Sequence, residues 1–151
     1  MQYIQAVKEQ TASVFELVQE TVRSVYPKYY PGEVVDFFCS LHSREKIAGD
    51  IENGSVGVLV EDGRIIGTGS HEGGHITRVY VLPECQGKGY GSFIMQCLED
   101  TIAVNYPSAV LDASLPACRL YEHRGYRTLR HERYPLDNGA VLVYEVMEKV
   151  F

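Results

Sequence analysis

The chain has 151 residues, 45% of them hydrophobic and 23% charged, with a formal net charge of −6. That length suits one domain over residues 1–151 with a sizeable core, and the composition excludes a disordered chain. The acidic balance argues against nucleic acid as the main partner and fits a cationic small molecule or peptide better. No apolar stretch approaches the ~20 residues of a membrane span. Met1–Gln5 carries no basic cap followed by an apolar block, so neither a signal peptide nor a membrane partner is expected. Cys39, Cys85, Cys97 and Cys118 include no CxxC pair, and four cysteines in a chain this long read as buried thiols of a cytoplasmic protein rather than a disulfide framework.

In chain order, Gln2–Val7 reads as a short strand. Val14, Leu17, Val18, Thr21, Val22 and Val25 recur at three- and four-residue spacing, the mark of an amphipathic helix. Pro27 and Pro31 bracket a break, and a second helical region follows from about Glu33 to Ile51, interrupted near His42–Ser43. Val56, Val58 and Val60 then alternate, Glu61–Arg64 turns the chain, and Ile65–Gly69 continues as a hairpin partner. After Gly73-Gly74, the β-branched and aromatic run His75–Leu82 reads as a further strand ended by Pro83. Gly89–Tyr106 is helical, with Ile94, Leu98 and Ile102 on one face. Ala109–Ala113 reads as a buried strand. Ser114 is a suitable N-cap and Pro116 a suitable first-turn residue for a helix that stops at Gly125. Tyr126–Arg133 and Ala140–Lys149 form a last hairpin about Leu136–Gly139, which offers a surface for pairing in a homodimer. The pattern predicts an α/β (α+β) fold, a mixed sheet with helices on its faces.

The segment richest in chemistry is Val79-Tyr80-Val81-Leu82-Pro83-Glu84-Cys85-Gln86-Gly87-Lys88-Gly89-Tyr90-Gly91-Ser92: strand, glycine loop, helix start. Glycines allow close backbone approach, and the first helical turn presents N–H donors and the positive end of the helix dipole. Together they suit a phosphate or pyrophosphate, with Lys88 adding charge. The alternative is a plain strand-to-helix connection. The loop lacks the Lys-[Ser/Thr] ending of a P-loop and the G-x-G-x-x-G spacing of a dinucleotide site.

Gln86-Gly87-Lys88-Gly89-Tyr90-Gly91 resembles the Q/R-x-x-G-x-G/A signature of the GNAT superfamily of N-acetyltransferases. Leu120-Tyr121-Glu122-His123-Arg124-Gly125-Tyr126 resembles a later motif of that family, and the order of elements is similar over nearly the whole chain. The resemblance implies a mostly antiparallel central sheet of the acyl-CoA N-acyltransferase type. It also implies acetyl transfer from acetyl-CoA to an amine, without a metal, and a sheet splayed between its fourth and fifth strands. The main chain of Val79 and Val81 would hold the pantetheine arm, and the amides of Gln86, Gly87, Lys88, Gly89, Tyr90, Gly91 and Ser92 the pyrophosphate. Tyr121 would protonate the departing thiolate, the alternative being a buried tyrosine bonded to a neighbour. Ser114 stands where relatives often carry Asn, and would contact the coenzyme.

A base is also required. Some relatives place a glutamate where this chain has His75, and an imidazole with an ordinary pKa of ~6.5 suits the task. Glu72 and His71 on the adjacent turn are the other candidates, and a solvent-facing strand-end histidine is the alternative. Neither Cys85 nor Cys118 has a sequence-evident activating partner, so direct transfer is expected over an acyl-enzyme. Tyr26, Tyr29 and Tyr30, with Glu33 and Asp36, would receive a cationic acceptor by aromatic faces and carboxylates, or else pack as core and turn. His71-Glu72-Gly73-Gly74-His75 spells the H-E-x-x-H of zinc hydrolases. That chemistry needs both histidines on one helix face, where two glycines cost roughly 2 kcal/mol relative to alanine. A non-catalytic acyl-CoA sensor or interaction module is the remaining class.

Overall fold

The computed structural model describes all 151 residues. Seven strands form one sheet in the order β1-β2-β3-β4-β5-β7-β6: β1 Gln2–Gln5, β2 Val56–Glu61, β3 Arg64–Glu72, β4 His75–Val81, β5 Ser108–Ala113, β6 Arg127–Pro135 and β7 Val141–Val150. The helices are α1 Thr11–Val25, α2 Gly32–Leu41, α3 Arg44–Glu52, α4 Tyr90–Ala103 and α5 Cys118–His123. The predicted order of elements holds, with shifted ends. The first strand stops at Gln5, the third runs on to Glu72, and the helix expected from Pro116 begins as a 3-10 turn over Leu115–Ala117.

The apolar stripe of α1 is its buried face: Val14, Leu17, Val18 and Val22 are almost wholly enclosed, each stabilising by roughly 1.5–3 kcal/mol. Helices α1–α3 cover one face of the sheet and α4 the other. Gly69 makes the second packing close, because a Cβ there would come within 2.7 Å of Ile94 Cγ2. The expected break at His42–Ser43 separates α2 from α3. Ser43 Oγ accepts from the Lys46 amide at 3.1 Å to cap α3, and the non-helical backbone at His42 turns its ring inward. Gln19 Nε2 donates to the carbonyls of Cys39 and His42, satisfying the end of α2.

Every strand pairing is antiparallel except β4 with β5. That parallel pairing spans only His75↔Val110 and Ile76↔Leu111. Beyond it the two strands part, and the sheet opens where the family resemblance expects a splay. The H-E-x-x-H segment is the β3–β4 hairpin, so its two histidines lie on strands flanking a two-glycine turn and share no helix face. No helix is long and apolar enough to cross a membrane.

Candidate active site

The β3–β4 register explains what the splay exposes. Leu82 N donates to Ile66 O at 2.9 Å, and antiparallel bonding alternates along a strand. Tyr80 and Leu82 therefore turn their main chain toward β3, while Val79 and Val81 turn theirs toward the gap left by β5. The Val81 carbonyl is already engaged, accepting from Gln86 Nε2 at 3.0 Å. The Val81 amide and both main-chain groups of Val79 remain for an extended ligand. Between Ser70 and His71 the register slips, leaving Thr77 without an opposite residue in β3.

The loop after β4 lies at the surface. Gly87 and Gly89 have φ of +76° and +88°, the left-handed region glycine tolerates, and a Cβ at either would project into open space. The first bond of α4 runs from Phe93 N to Gly89 O, so the amides of Tyr90, Gly91 and Ser92 have no partner within the helix. Lys88 is exposed and enters no ion pair, whereas Tyr90 spends its hydroxyl on Glu61. Gly91 lies against Leu120, which sets the start of α4 beside α5 and the neighbouring Tyr121.

A cavity of about 520 Å³ lies where β4 and β5 diverge. Tyr121 lines it while otherwise buried. Burial, then the proximity of Tyr26 and Cys118, pushes its phenol well above the usual tyrosine range, with no hydrogen bond from a protein group opposing the shift. The hydroxyl therefore keeps its proton. Beneath α5, Glu99 accepts from Arg124, Lys149 and the Tyr126 hydroxyl, tying α4, α5 and β7 together. Burial alone would raise the Glu99 carboxyl, but its two cationic partners outweigh that and hold it below the usual range. His75 also lines the cavity, with Nε2 3.8 Å from Asp112 Oδ2 across the start of the splay. Glu72 is exposed and 3.6 Å from Lys46, and His71 bonds the Gly73 carbonyl instead.

Several expected roles change in the fold. Ser114 stands at the N-cap of the 3-10 turn, but its hydroxyl makes no cap bond; it meets Tyr26 Oη at 3.1 Å. Of the three tyrosines expected at the acceptor, Tyr26 alone lines the cavity. Tyr29 is 50% exposed to solvent, and Tyr30 braces the backbone by accepting from Leu115 N at 2.7 Å. Glu33 and Asp36 point to solvent. The sequence reading missed His42, Asp50 and Arg78, which line the cavity with Tyr80. Arg78 is 4% exposed and pairs with Asp50 at 2.8 Å. The signal was an arginine two residues before Tyr80 in an apolar strand, hence on the same inward face.

The model of the acetyltransferase (GNAT) domain matches residues 25–147. The chain belongs to the GNAT acetyltransferase family. No curated protein matches it in sequence. The GCN5-related N-acetyltransferase fold is similar throughout: a structure from Rhodopseudomonas palustris described as "Aminotransferase, Class-II" superposes with a TM-score of 0.91 at 21% identity, covering 99% of this chain and 95% of that one. The PaiA N-acetyltransferase of Thermoplasma acidophilum, solved with coenzyme A, gives 0.77 at 17% identity over 99% and 98%. The yncA protein of Salmonella typhimurium, solved with acetyl-CoA, gives 0.69 at 19% over 99% and 93%. At these identities the likeness of a GNAT chain to its neighbours is one of fold.

Proposed function

We propose that this acetyltransferase moves an acetyl group from acetyl-CoA directly to a primary amine. The observation that carries the reading is the placement of Tyr121: a phenol that retains its proton enters the cavity formed where β4 and β5 part. The chain fits the coenzyme on two counts. The outward main chain of Val79 and Val81 can add an extended arm as a strand adds to a sheet edge, and the loop amides, with room above Gly87 and Gly89, can receive a pyrophosphate.

Acetyl-CoA supplies an activated acetyl group and a thiol leaving group. In this reading Val79 and Val81 orient the arm, and the amides from Gln86 to Ser92, aided by Lys88, fix its anionic end. Tyr121 donates its hydroxyl proton to the departing sulfur. His75, with the Asp112 carboxylate 3.8 Å from its Nε2, accepts a proton from the attacking amine. Asp112, which lines the cavity with no lysine or arginine partner, favours a cationic acceptor.

Direct transfer is favoured over a cysteine intermediate by the state of Cys118. Burial, and then Glu145, pushes its thiol up to about 12, and Sγ lies 3.4 Å from the Ser114 carbonyl. A protonated thiol is a poor nucleophile. The test is a panel of primary amines with acetyl-CoA, monitoring free coenzyme A. Thiol release dependent on one amine class is expected. Coenzyme binding without release for every amine would favour a sensor.

A further inference from the structure

One wall of the cavity is a chain of hydrogen bonds drawn from four parts of the sequence. Arg78 Nε donates to His42 Nδ1 at 3.1 Å. His42 Nε2 lies 3.1 Å from Tyr80 Oη, Tyr80 Oη 3.2 Å from Tyr26 Oη, and Tyr26 Oη 3.1 Å from Ser114 Oγ. The distances leave each direction open, but the chemistry closes it. A guanidinium has donors only, so His42 Nδ1 must offer a lone pair and the ring proton must sit on Nε2. That proton goes to Tyr80. The Tyr80 hydroxyl is enclosed, and its own proton has one remaining acceptor, Tyr26; a buried donor left unspent is costly. The same reasoning sends the Tyr26 proton to Ser114.

Ser114 Oγ is thus an acceptor from Tyr26, and its own proton is left over. Ser114 and Tyr121 line the same cavity. The Ser114 carbonyl also accepts from Cys118 Sγ at 3.4 Å, which ties Ser114 to the first residue of α5, the helix that carries Tyr121.

We infer that Arg78, His42, Tyr80 and Tyr26 form a one-way hydrogen-bond chain that holds Ser114 as a second hydroxyl donor, with Tyr121, to the group that takes up negative charge at transfer. This rests on the acetyl-transfer reading. Tyr121 gives up its proton; Ser114 keeps its own and donates a hydrogen bond. The other four are positioning residues. The origin of the chain is fixed by Asp50, which holds Arg78 at 2.8 Å and is itself held by Lys46 at 3.2 Å. His42 faces Arg78 and Tyr80 from β4 and Asp50 from α3. Burial and then Arg78 lower its pKa to about 3 against the pull of Asp50, which agrees with a ring locked neutral.

Two measurements test this. Ring 15N signals of His42 should show Nδ1 bare and Nε2 protonated throughout pH 5–9, without titration. An Nδ1–H tautomer, or a titration in that interval, would overturn the direction of the chain whether or not an acceptor amine is known. With an accepted amine, Ser114→Ala and Tyr26→Phe should each lower kcat about tenfold, with KM for acetyl-CoA within twofold. The double variant should be no slower than either single one, and Ser114→Thr should restore the rate. Losses that multiply, or a silent Ser114→Ala, would overturn the role of Ser114. Absence of transfer to every amine by the unmodified protein would instead remove the acetyl-transfer reading, leaving the 15N result to decide the chain.

Discussion

The glycine loop and the polar wall of the cavity are built on opposite plans. Residues 86–92 are contiguous and lie at or near the surface, and what they offer a ligand is main-chain amides. The wall from Arg78 to Ser114 is assembled from β4, the α2–α3 break, the turn after α1 and the end of β5, and it works through side chains in a buried setting. A site of amides depends on backbone conformation, so two glycines with positive φ carry most of its information. A buried side-chain network has to satisfy every donor, so breaking it costs stability as well as function.

That contrast can be broken most severely at Arg78. Arg78→Met leaves Asp50 buried with Lys46 as its remaining cation and strips His42 of its donor, and should destabilise the fold by about 3–5 kcal/mol in chemical denaturation. A loss below about 1 kcal/mol would show that the wall is not a stabilising network. Gly89→Asp should behave in the opposite way. The melting temperature should fall slightly, because the left-handed backbone disfavours a side chain by about 1–2 kcal/mol. Acetyl-CoA affinity by calorimetry should fall at least about 100-fold, because a negative charge meets the pyrophosphate. Unchanged affinity would contradict the loop assignment. Tyr121→Phe should lower kcat about 100-fold with little change in KM for acetyl-CoA; unchanged turnover would remove the phenol from the chemistry.

The smallest effect concerns pH. The folded-state pKa of His42, about 3, lies below its ordinary value of 6.5. The neutral ring's contribution is therefore complete above pH 6.5 and is lost as pH falls toward 3. By pH 5 the protein should have lost about 2 kcal/mol from this residue. In His42→Gln, whose amide can accept from Arg78 and donate to Tyr80, the slope between pH 6.5 and 5 should flatten. An unchanged slope would assign it to other groups.

The elements were legible because each carries a local signature. The stripe of α1, the alternation of β2 and the β-branched run of β4 reflect which face each residue must bury, a constraint that acts within a few residues. The break between α2 and α3 was legible too, but not its purpose, because nothing adjacent to His42 in sequence shows that its ring meets Arg78. Ser114 shows the same limit more sharply. As a sequence position it reads as a helix cap; in the fold its hydroxyl meets Tyr26, which leaves no cap bond. Tyr26, Tyr29 and Tyr30 look alike in the chain, and only packing separates one on the cavity, one in solvent and one bracing the turn between β5 and α5.

The sequence by itself determined the order of strands and helices, the left-handed turns of the glycine loop and the family to which the chain belongs, since local backbone preference and short motifs encode all three. Tertiary structure alone decided how far β4 and β5 part, which hydroxyls face the cavity and which way their protons run. Those depend on contacts between residues tens of positions apart, and on the cost of leaving any buried donor without a partner.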